Sequence, residues 1–159
     1  MRAEVREALA AKLDETAAAV DAALTNYVPQ FSGPAAHVTQ AMLHSLRGGK
    51  RIRPFLVRLS AETFGLGAEA VMPTACAYEL LHTATLIHDD LPAIDNADLR
   101  RGQPSCHVAF DEPTAILAGD ALIVAAFGAL AAQAKEPLTP PELAVRVLRE
   151  FADAVSAVI

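Results

Sequence analysis

Two stretches of the chain are too apolar to be surface helices, and they limit the possible folds more than any other feature. One spans residues 69–91, and the other spans residues 113–134, interrupted only by Asp120. Hydrophobic residues, mainly Ala, Leu and Val, make up 53% of the sequence, whereas aromatic residues make up 5%. Ala and Leu favour helices, and a helix that is apolar around most of its circumference needs partners on several sides. The sequence therefore predicts an all-α protein built as a multi-helix bundle.

The other predicted helices are shorter or amphipathic, and they are separated by clear breaks. Residues 3–25 carry apolar side chains every three or four positions, as in an amphipathic helix. Further helices are predicted over 36–46, 54–64, with Pro54 in its first turn, and 142–159. A polar loop follows residue 91 and reaches to about residue 112. No linker interrupts this series, so residues 1–159 are expected to form a single helical domain.

Composition excludes some classes of function and sets a default location. The net charge of −6 argues against general nucleic-acid binding, which needs a basic surface. Cys76 and Cys106 are not spaced like a pair of metal-binding cysteines. We therefore expect two buried thiols in a reducing compartment. The first residues show no signal peptide, and the uncharged part of the second apolar stretch, residues 121–134, is short for a membrane span. We expect a cytoplasmic protein without a membrane span.

A group of carboxylates ends the first apolar stretch. Asp89 and Asp90 stand at the predicted helix end, because Pro92 disfavours helical geometry in the residue before it. Asp95 then lies in a loop that is able to fold back toward Asp89. Clustered carboxylates without soft ligands suit magnesium, which takes one or two of them together with phosphate oxygens and water. A solvated acidic loop is the alternative, and the order of acids and glycines does not match a calcium-binding loop.

Two basic clusters flank this acidic segment in the sequence. Arg100 and Arg101 follow it directly, and guanidinium groups match phosphate oxygens in pairs. Residues 47–54 place four positive charges around two glycines before a helix start, which suits an anion held by Lys50 and Arg53. The pattern is not a P-loop, and charge balance or a solvated basic turn is the alternative for each cluster. His82 lies two helical turns before Asp89 and is predicted to line the same cavity.

Three motifs in this order, residues 48–54, 88–95 and 98–102, resemble the trans-prenyl diphosphate synthase family. The chain is most similar to farnesyl and geranylgeranyl diphosphate synthases, and residues 117–122 resemble a further segment of these enzymes. The resemblance implies an isoprenoid-synthase-type helical bundle. It also implies condensation of an allylic diphosphate with isopentenyl diphosphate to a short-chain (C15–C20) all-trans product, and assembly as a homodimer.

The resemblance implies a role for each matching residue. Asp89 and Asp95, with Asp90 beside them, would hold Mg²⁺ ions that bridge to the allylic diphosphate, and Arg100 would contact the same diphosphate. Isopentenyl diphosphate would be bound by Lys50, Arg53, His82 and Arg101. In this family the residues before the first aspartates form the floor of the hydrocarbon pocket. Because Ala84 and Thr85 are small, we expect a C20 product over C15, and Ala84→Tyr should shorten the product.

One part of the family pattern is absent from the sequence. The family carries a second aspartate-rich motif, and residues 107–159 contain nothing comparable. The chain is therefore expected to be the N-terminal portion of a synthase and to be weak or inactive alone. A non-catalytic binding or regulatory subunit built from half a synthase is the first alternative. The second is a metal-dependent phosphohydrolase using His88 and Asp89 with His44 or His37, which leaves the basic clusters unexplained.

Overall fold

The computed structural model describes residues 3–135 and 139–157, which form helices and one short hairpin. The helices are α1 (Ala3–Leu24), α2 (Ala36–Ser45), α3 (Ile52–Thr63), α4 (Met72–Asp89), α5 (Cys106–Ala109), α6 (Glu112–Ala132) and α7 (Pro141–Ser156). Strands β1 (Leu99–Arg100) and β2 (Gln103–Pro104) pair antiparallel. The predicted all-α fold is confirmed, with this two-residue ladder as its only β-structure within the described part of the chain.

The two apolar stretches form the centre of the bundle, as their composition predicts. Helices α4 and α6 make the most extensive helix–helix contact, and α1, α2, α3 and α7 pack around this pair. The core around this pair contains small side chains that are fully buried, namely Ala77, Ala84, Ala115, Ala118 and Ala126. Small residues let two backbones approach closely, so the alanine-rich composition produces a tightly packed core.

Several element boundaries differ from the predicted ones. Helix α3 begins at Ile52, two residues before the predicted start, and a 3₁₀ turn at Ala68–Val71 precedes α4. The predicted loop after residue 91 contains both the hairpin and α5. The last helix was expected to reach residue 159, and positions 158–159 lie outside the described residues.

The hairpin turn has an unusual backbone conformation that the polar composition of the loop does not predict. Its two connecting residues, Arg101 and Gly102, have φ angles of 54° and 77°. Two-residue turns with positive φ at both positions match the twist of antiparallel strands. Glycine adopts this conformation readily and arginine rarely does, so contacts of the Arg101 side chain are needed to hold the turn.

Helix α6 also passes a simple test for membrane spans. The segment Glu112–Lys135 is long and apolar enough to cross a membrane by length and composition. In the fold it is a core helix packed against α4 and α2, as its sequence predicts. The core helix of a bundle and a membrane span share this composition.

The two cysteines lie in the core, as predicted. Cys76 and Cys106 are both buried and free. Burial raises the pKa of Cys76 to about 12 and also raises the pKa of Cys106. Neither thiol therefore carries a thiolate at neutral pH, which fits a packing role.

Candidate active site

The acidic segment folds back on the end of α4, which confirms the predicted loop geometry. The backbone amide of Asp95 donates to the Asp89 carbonyl at 2.9 Å, and the Ala97 amide donates to the Asp90 carbonyl at 3.2 Å. Helix α4 ends at Asp89, before Pro92. Asp89 and Asp95 are both exposed. The loop thus brings two solvent-accessible carboxylate residues to the same helix end.

Asp90 occupies a different environment from its two neighbours in the motif. It is 2% exposed, and the Nε of Arg100 donates to both of its carboxylate oxygens at 3.1 and 3.0 Å. This hydrogen bond to Asp90 is the main cause of the raised pKa of Arg100. Asp90 therefore fixes Arg100 beside the acidic loop, while Asp89 and Asp95 remain accessible.

The glycine-rich turn before α3 is fastened to the hairpin by Arg101. Its Nη1 donates to the Gly48 carbonyl at 2.9 Å. Gly49 has a φ of 102°, and a Cβ atom placed there would lie 2.8 Å from the Cζ of Arg101. A side chain at position 49 would therefore collide with the guanidinium group. The two glycines allow the close approach that the sequence predicts, but in this structure an arginine occupies that space.

A buried ionic network that no sequence motif predicted lies next to this turn. Arg51 donates to Glu79 Oε1 at 2.6 Å and to Asp21 Oδ1 at 2.7 Å. The Nη2 of Arg101 lies 3.6 Å from the same Glu79 oxygen. The signal for this network was Glu79, an acid in the interior of the apolar stretch, where an unpaired carboxylate is costly.

An open cleft of about 290 Å³ lies between α4 and α7. Arg53, His82 and Thr85 line it together with apolar side chains, Tyr78, Leu81, Phe151 and Val155. Burial lowers the pKa of His82, and nearby Arg53 lowers this pKa further. Lys50 is exposed, whereas Ala84 is fully buried in the core. The structure thus brings Arg53, His82 and Thr85 together, and Ala84 is not among the residues that line this cleft.

A small cavity of about 60 Å³ lies on the inner side of the acidic segment. It is bordered by Asp90, Arg100 and Thr83 among others. Within the described part of the chain, the buried Thr83 hydroxyl has no hydrogen-bond partner. Polar groups lie on the cavity wall and the volume is large enough for water, which is the usual partner of such a hydroxyl.

The histidines of the alternative phosphohydrolase hypothesis have structural contacts. The His88 ring packs into the space left by Gly119, where a Cβ atom would lie 2.1 Å from its Nε2. His44 Nε2 lies 2.9 Å from the Pro104 carbonyl oxygen. Over residues 3–135 and 139–157, no three His, Cys, Asp or Glu side chains form a group able to hold a metal ion.

Comparison with known protein families agrees with this arrangement of acidic loop, hairpin and glycine turn. Residues 35–159 match the sequence model of the family described as polyprenyl synthetase. The chain belongs to this family. The matched region contains the glycine turn, the acidic loop and the hairpin, and only α1 and the connection after it lie outside.

Named members of the polyprenyl synthetase family share much of this sequence. The chain is 44% identical over 143 residues to the farnesyl diphosphate synthase of Geobacillus stearothermophilus, covering 89% of this chain and 48% of that protein. It is 50% identical over 109 residues to the geranylgeranyl diphosphate synthase of Cyanophora paradoxa, covering 69% of this chain and 36% of that protein. The chain thus spans about half the length, or less, of these curated relatives.

Solved structures of similar proteins confirm the isoprenoid-synthase type of helical bundle. An FPP/GFPP synthase from Zymomonas mobilis matches with a TM-score of 0.83 at 35% identity, over 90% of this chain and 51% of that chain. A geranyltransferase from Legionella pneumophila matches with a TM-score of 0.81 at 38% identity, over 96% of this chain and 52% of that chain. These matches also cover about half of each larger bundle.

Proposed function

We propose that this chain forms the first half of the active site of a prenyltransferase that condenses an allylic diphosphate with isopentenyl diphosphate. The observation that carries the proposal is that two neighbouring arginines have different binding partners. Arg100 is held by Asp90 beside the acidic loop, and Arg101 is held on the glycine turn. One hairpin therefore connects two potential diphosphate sites, which a two-substrate condensation requires.

The residues of the acidic loop fit magnesium, although they do not form a complete coordination shell. Asp89 and Asp95 offer exposed carboxylates, and Asp90 is engaged by Arg100. Magnesium is usually bound in this way, through one or two carboxylates, with substrate phosphates and water as the remaining ligands. When bound there, the metal would neutralise negative charge that develops on the departing diphosphate.

The chain's own residues would position the two substrates. Arg100 is able to donate hydrogen bonds to the allylic diphosphate while Asp90 fixes its orientation, so little reorganisation accompanies bond cleavage. Lys50, Arg53, His82 and Arg101 would hold the diphosphate of isopentenyl diphosphate. The carbon–oxygen bond to the allylic diphosphate breaks first, the isopentenyl double bond then attacks the resulting allylic cation, and a proton is lost from the new, longer cation.

The cleft between α4 and α7 supports a hydrocarbon substrate. Its wall is mainly apolar, and Arg53, His82 and the hydroxyl groups of Tyr78 and Thr85 are the polar groups among the residues that line it. Such a surface would shield a reactive allylic cation from water. Thr85 lines this cleft and is small, which supports the proposed preference for a C20 over a C15 product.

Homodimer formation, a cytoplasmic location and the absence of a membrane span remain proposals drawn from the sequence. The whole enzyme's activity is also a proposal, because the chain spans about half of its named relatives. A non-catalytic half-synthase subunit is the second candidate. One relative, 45% identical over 137 residues, is called a heterodimeric geranylgeranyl pyrophosphate synthase large subunit from Arabidopsis thaliana, so assemblies of two chains occur among its relatives.

Turnover and ligand binding together test the proposal. The chain is incubated with Mg²⁺, radiolabelled isopentenyl diphosphate and dimethylallyl or geranyl diphosphate, and the products are separated by chain length. In parallel, calorimetry measures the affinity for inorganic pyrophosphate with and without Mg²⁺. Elongated prenyl diphosphates support the enzyme, and metal-dependent binding without elongation supports a half-site that needs the rest of a synthase or a partner chain for turnover. Absence of both would exclude the proposed site.

A further inference from the structure

Glu79 is a buried carboxylate shared by two arginines of the candidate site. Its side chain is 3% exposed, and Oε1 lies 2.6 Å from Arg51 Nη1 and 3.6 Å from Arg101 Nη2. Glu79 lies in the interior of α4, one helical turn before His82. An ionised carboxylate at such a position is stable only with close positive partners. The positions of the two arginines and of Glu79 therefore depend on one another.

Both arginines bound by Glu79 have an unusual backbone conformation. Among the described residues, positive φ outside glycine occurs at Arg51 (50°), Asn96 (48°) and Arg101 (54°). Long side chains rarely adopt this region, and it persists where surrounding contacts hold it. Glu79 contacts two of these three residues, one in the turn before α3 and one in the hairpin.

Arg101 is held from two directions. Glu79 approaches Nη2, and Nη1 donates to the carbonyl of Gly48. Burial lowers the pKa of Arg101, and Glu79 is the main group that opposes this effect. Arg51 and Arg100 lower the same pKa, and Asp21 opposes them less strongly than Glu79 does. Glu79 thus allows several cations to stand close together before any anion binds.

We propose that Glu79 is a positioning residue that sets the diphosphate affinity of the glycine turn by orienting Arg101 through direct contact. The inference rests on the proposed function only in naming isopentenyl diphosphate as the anion. Glu79 does not contact that substrate in this assignment. It acts through Arg101, which does.

The sign of the effect separates positioning from simple electrostatics. A carboxylate near an anion site repels the anion, so its removal alone should strengthen anion binding. If Glu79 instead orients the arginines, its removal should weaken binding, because a displaced guanidinium loses its hydrogen bonds. The two explanations therefore predict opposite changes in affinity for the same substitution.

Glu79→Gln is the informative variant, since it keeps the shape of the side chain and removes its charge. We expect metal-free affinity for inorganic pyrophosphate, measured by calorimetry on the whole chain, to fall about tenfold. In enzyme assays, KM for isopentenyl diphosphate should rise by a similar factor while KM for the allylic substrate changes little. Glu69→Gln, which removes an exposed carboxylate paired with Arg58, is the matched control.

A double-mutant cycle tests whether Glu79 acts through Arg101. In an Arg101→Gln background, Glu79→Gln should cause a much smaller further loss of pyrophosphate affinity than in wild type. Unchanged or tighter pyrophosphate binding by folded Glu79→Gln would overturn the inference. If Glu79→Gln does not fold, Glu79→Asp should show a smaller loss of the same kind, and wild-type affinity in folded Glu79→Asp would equally overturn it.

These measurements separate the inference from the proposed function. Pyrophosphate binding requires no prenyl transfer, so the role of Glu79 can be tested even if the wild-type chain forms no elongated product. Absence of product is expected of half an active site and leaves the positioning role standing. Conversely, an active wild type with no effect at Glu79 would reject only the inference.

Discussion

The two charged regions of the candidate site are built in opposite ways. The first is the basic region, which consists of the glycine turn together with Arg51 and its partner Glu79. The side chains of Arg51 and Glu79 are 1% and 3% exposed and are paired with each other before any ligand binds. The acidic loop presents Asp89 and Asp95 to solvent without ion pairs to the described residues, and only Asp90 is buried. The first region has its counter-charges inside the protein, whereas the second leaves two carboxylates for an external cation.

This difference indicates which contacts serve stability and which serve ligands. Charges that are buried and paired are costly to disturb, because the remaining partner is left without compensation. Exposed carboxylates contribute little to folding and remain available to a metal ion. Substitutions in the buried network of Arg51 and Glu79 should therefore lower the stability of the protein, and substitutions at the exposed acids should affect only binding and turnover.

Arg51→Ala should produce the largest effect of this kind. Removing one member of a buried ion pair costs about 3–5 kcal/mol, and Glu79 would lose its closest partner. Denaturant unfolding followed by circular dichroism measures the change. Lys50→Ala, at the exposed neighbouring position, should stay within about 0.5 kcal/mol of wild type. Equal stability of the two variants would contradict the contrast between the regions.

Asp89→Ala should show the reverse pattern. We expect turnover to fall at least about 100-fold, as when a group that stabilises transition-state charge is lost. The Mg²⁺-dependent gain in pyrophosphate affinity should also disappear, while unfolding free energy changes by less than about 0.5 kcal/mol. Asp98→Ala, another exposed acid close in sequence, serves as the control and should keep the metal-dependent gain. A strongly destabilised Asp89→Ala would show that the acidic loop is also structural.

Gly49→Ala should give a smaller effect that combines backbone strain with displacement of Arg101. The positive φ of 102° and the 2.8 Å approach to Arg101 both oppose a Cβ atom. We expect a loss of about 1–3 kcal/mol in stability and weaker metal-free pyrophosphate binding. Gly65→Ala has a comparable strain, with φ of 79°, but no atom within 4 Å of the new Cβ. Its pyrophosphate affinity should match wild type, and a loss there would show that the Arg101 contact is not the cause.

The sequence predicted much of the fold because periodicity and breakers act locally. The long apolar stretches became α4 and α6, and Pro92 marked the end of α4 within a few residues. The return of Asp95 toward Asp89 also followed from this break. The hairpin was missed because Arg101 is an unusual turn residue, and its conformation depends on contacts from distant parts of the chain.

The candidate site was predicted in residue type but not in its internal bonding. Three neighbouring acids in one motif look equivalent in the sequence, yet Asp90 is buried by Arg100 while Asp89 is exposed. The role of Arg51 depends on Asp21 and Glu79, which are 30 and 28 residues away. Such pairings are set by how the helices pack, and no single stretch of sequence specifies them.

His82 gives the smallest effect and the finest test of the preassembled basic region. Its pKa lies below the ordinary value of 6.5, first because of burial and then because of Arg53. Between 6.5 and this lower folded-state pKa the unfolded chain binds more protons, so the histidine's contribution to stability declines as pH falls through that window. This pH-dependent loss of folding free energy is absent above pH 6.5, and it should be absent at all pH values in His82→Gln.

An NMR titration of the His82 ring measures this pKa directly. Arg53→Gln should raise the pKa of His82 toward 6.5, because a positive neighbour has been removed. Lys50→Gln removes a charge from the same turn at an exposed position and should change this pKa less. Equal changes in the His82 pKa in both variants would mean that the positive charges act on His82 without dependence on their individual positions. A larger shift with Arg53→Gln would show that individual positions in the basic region are fixed before any anion binds.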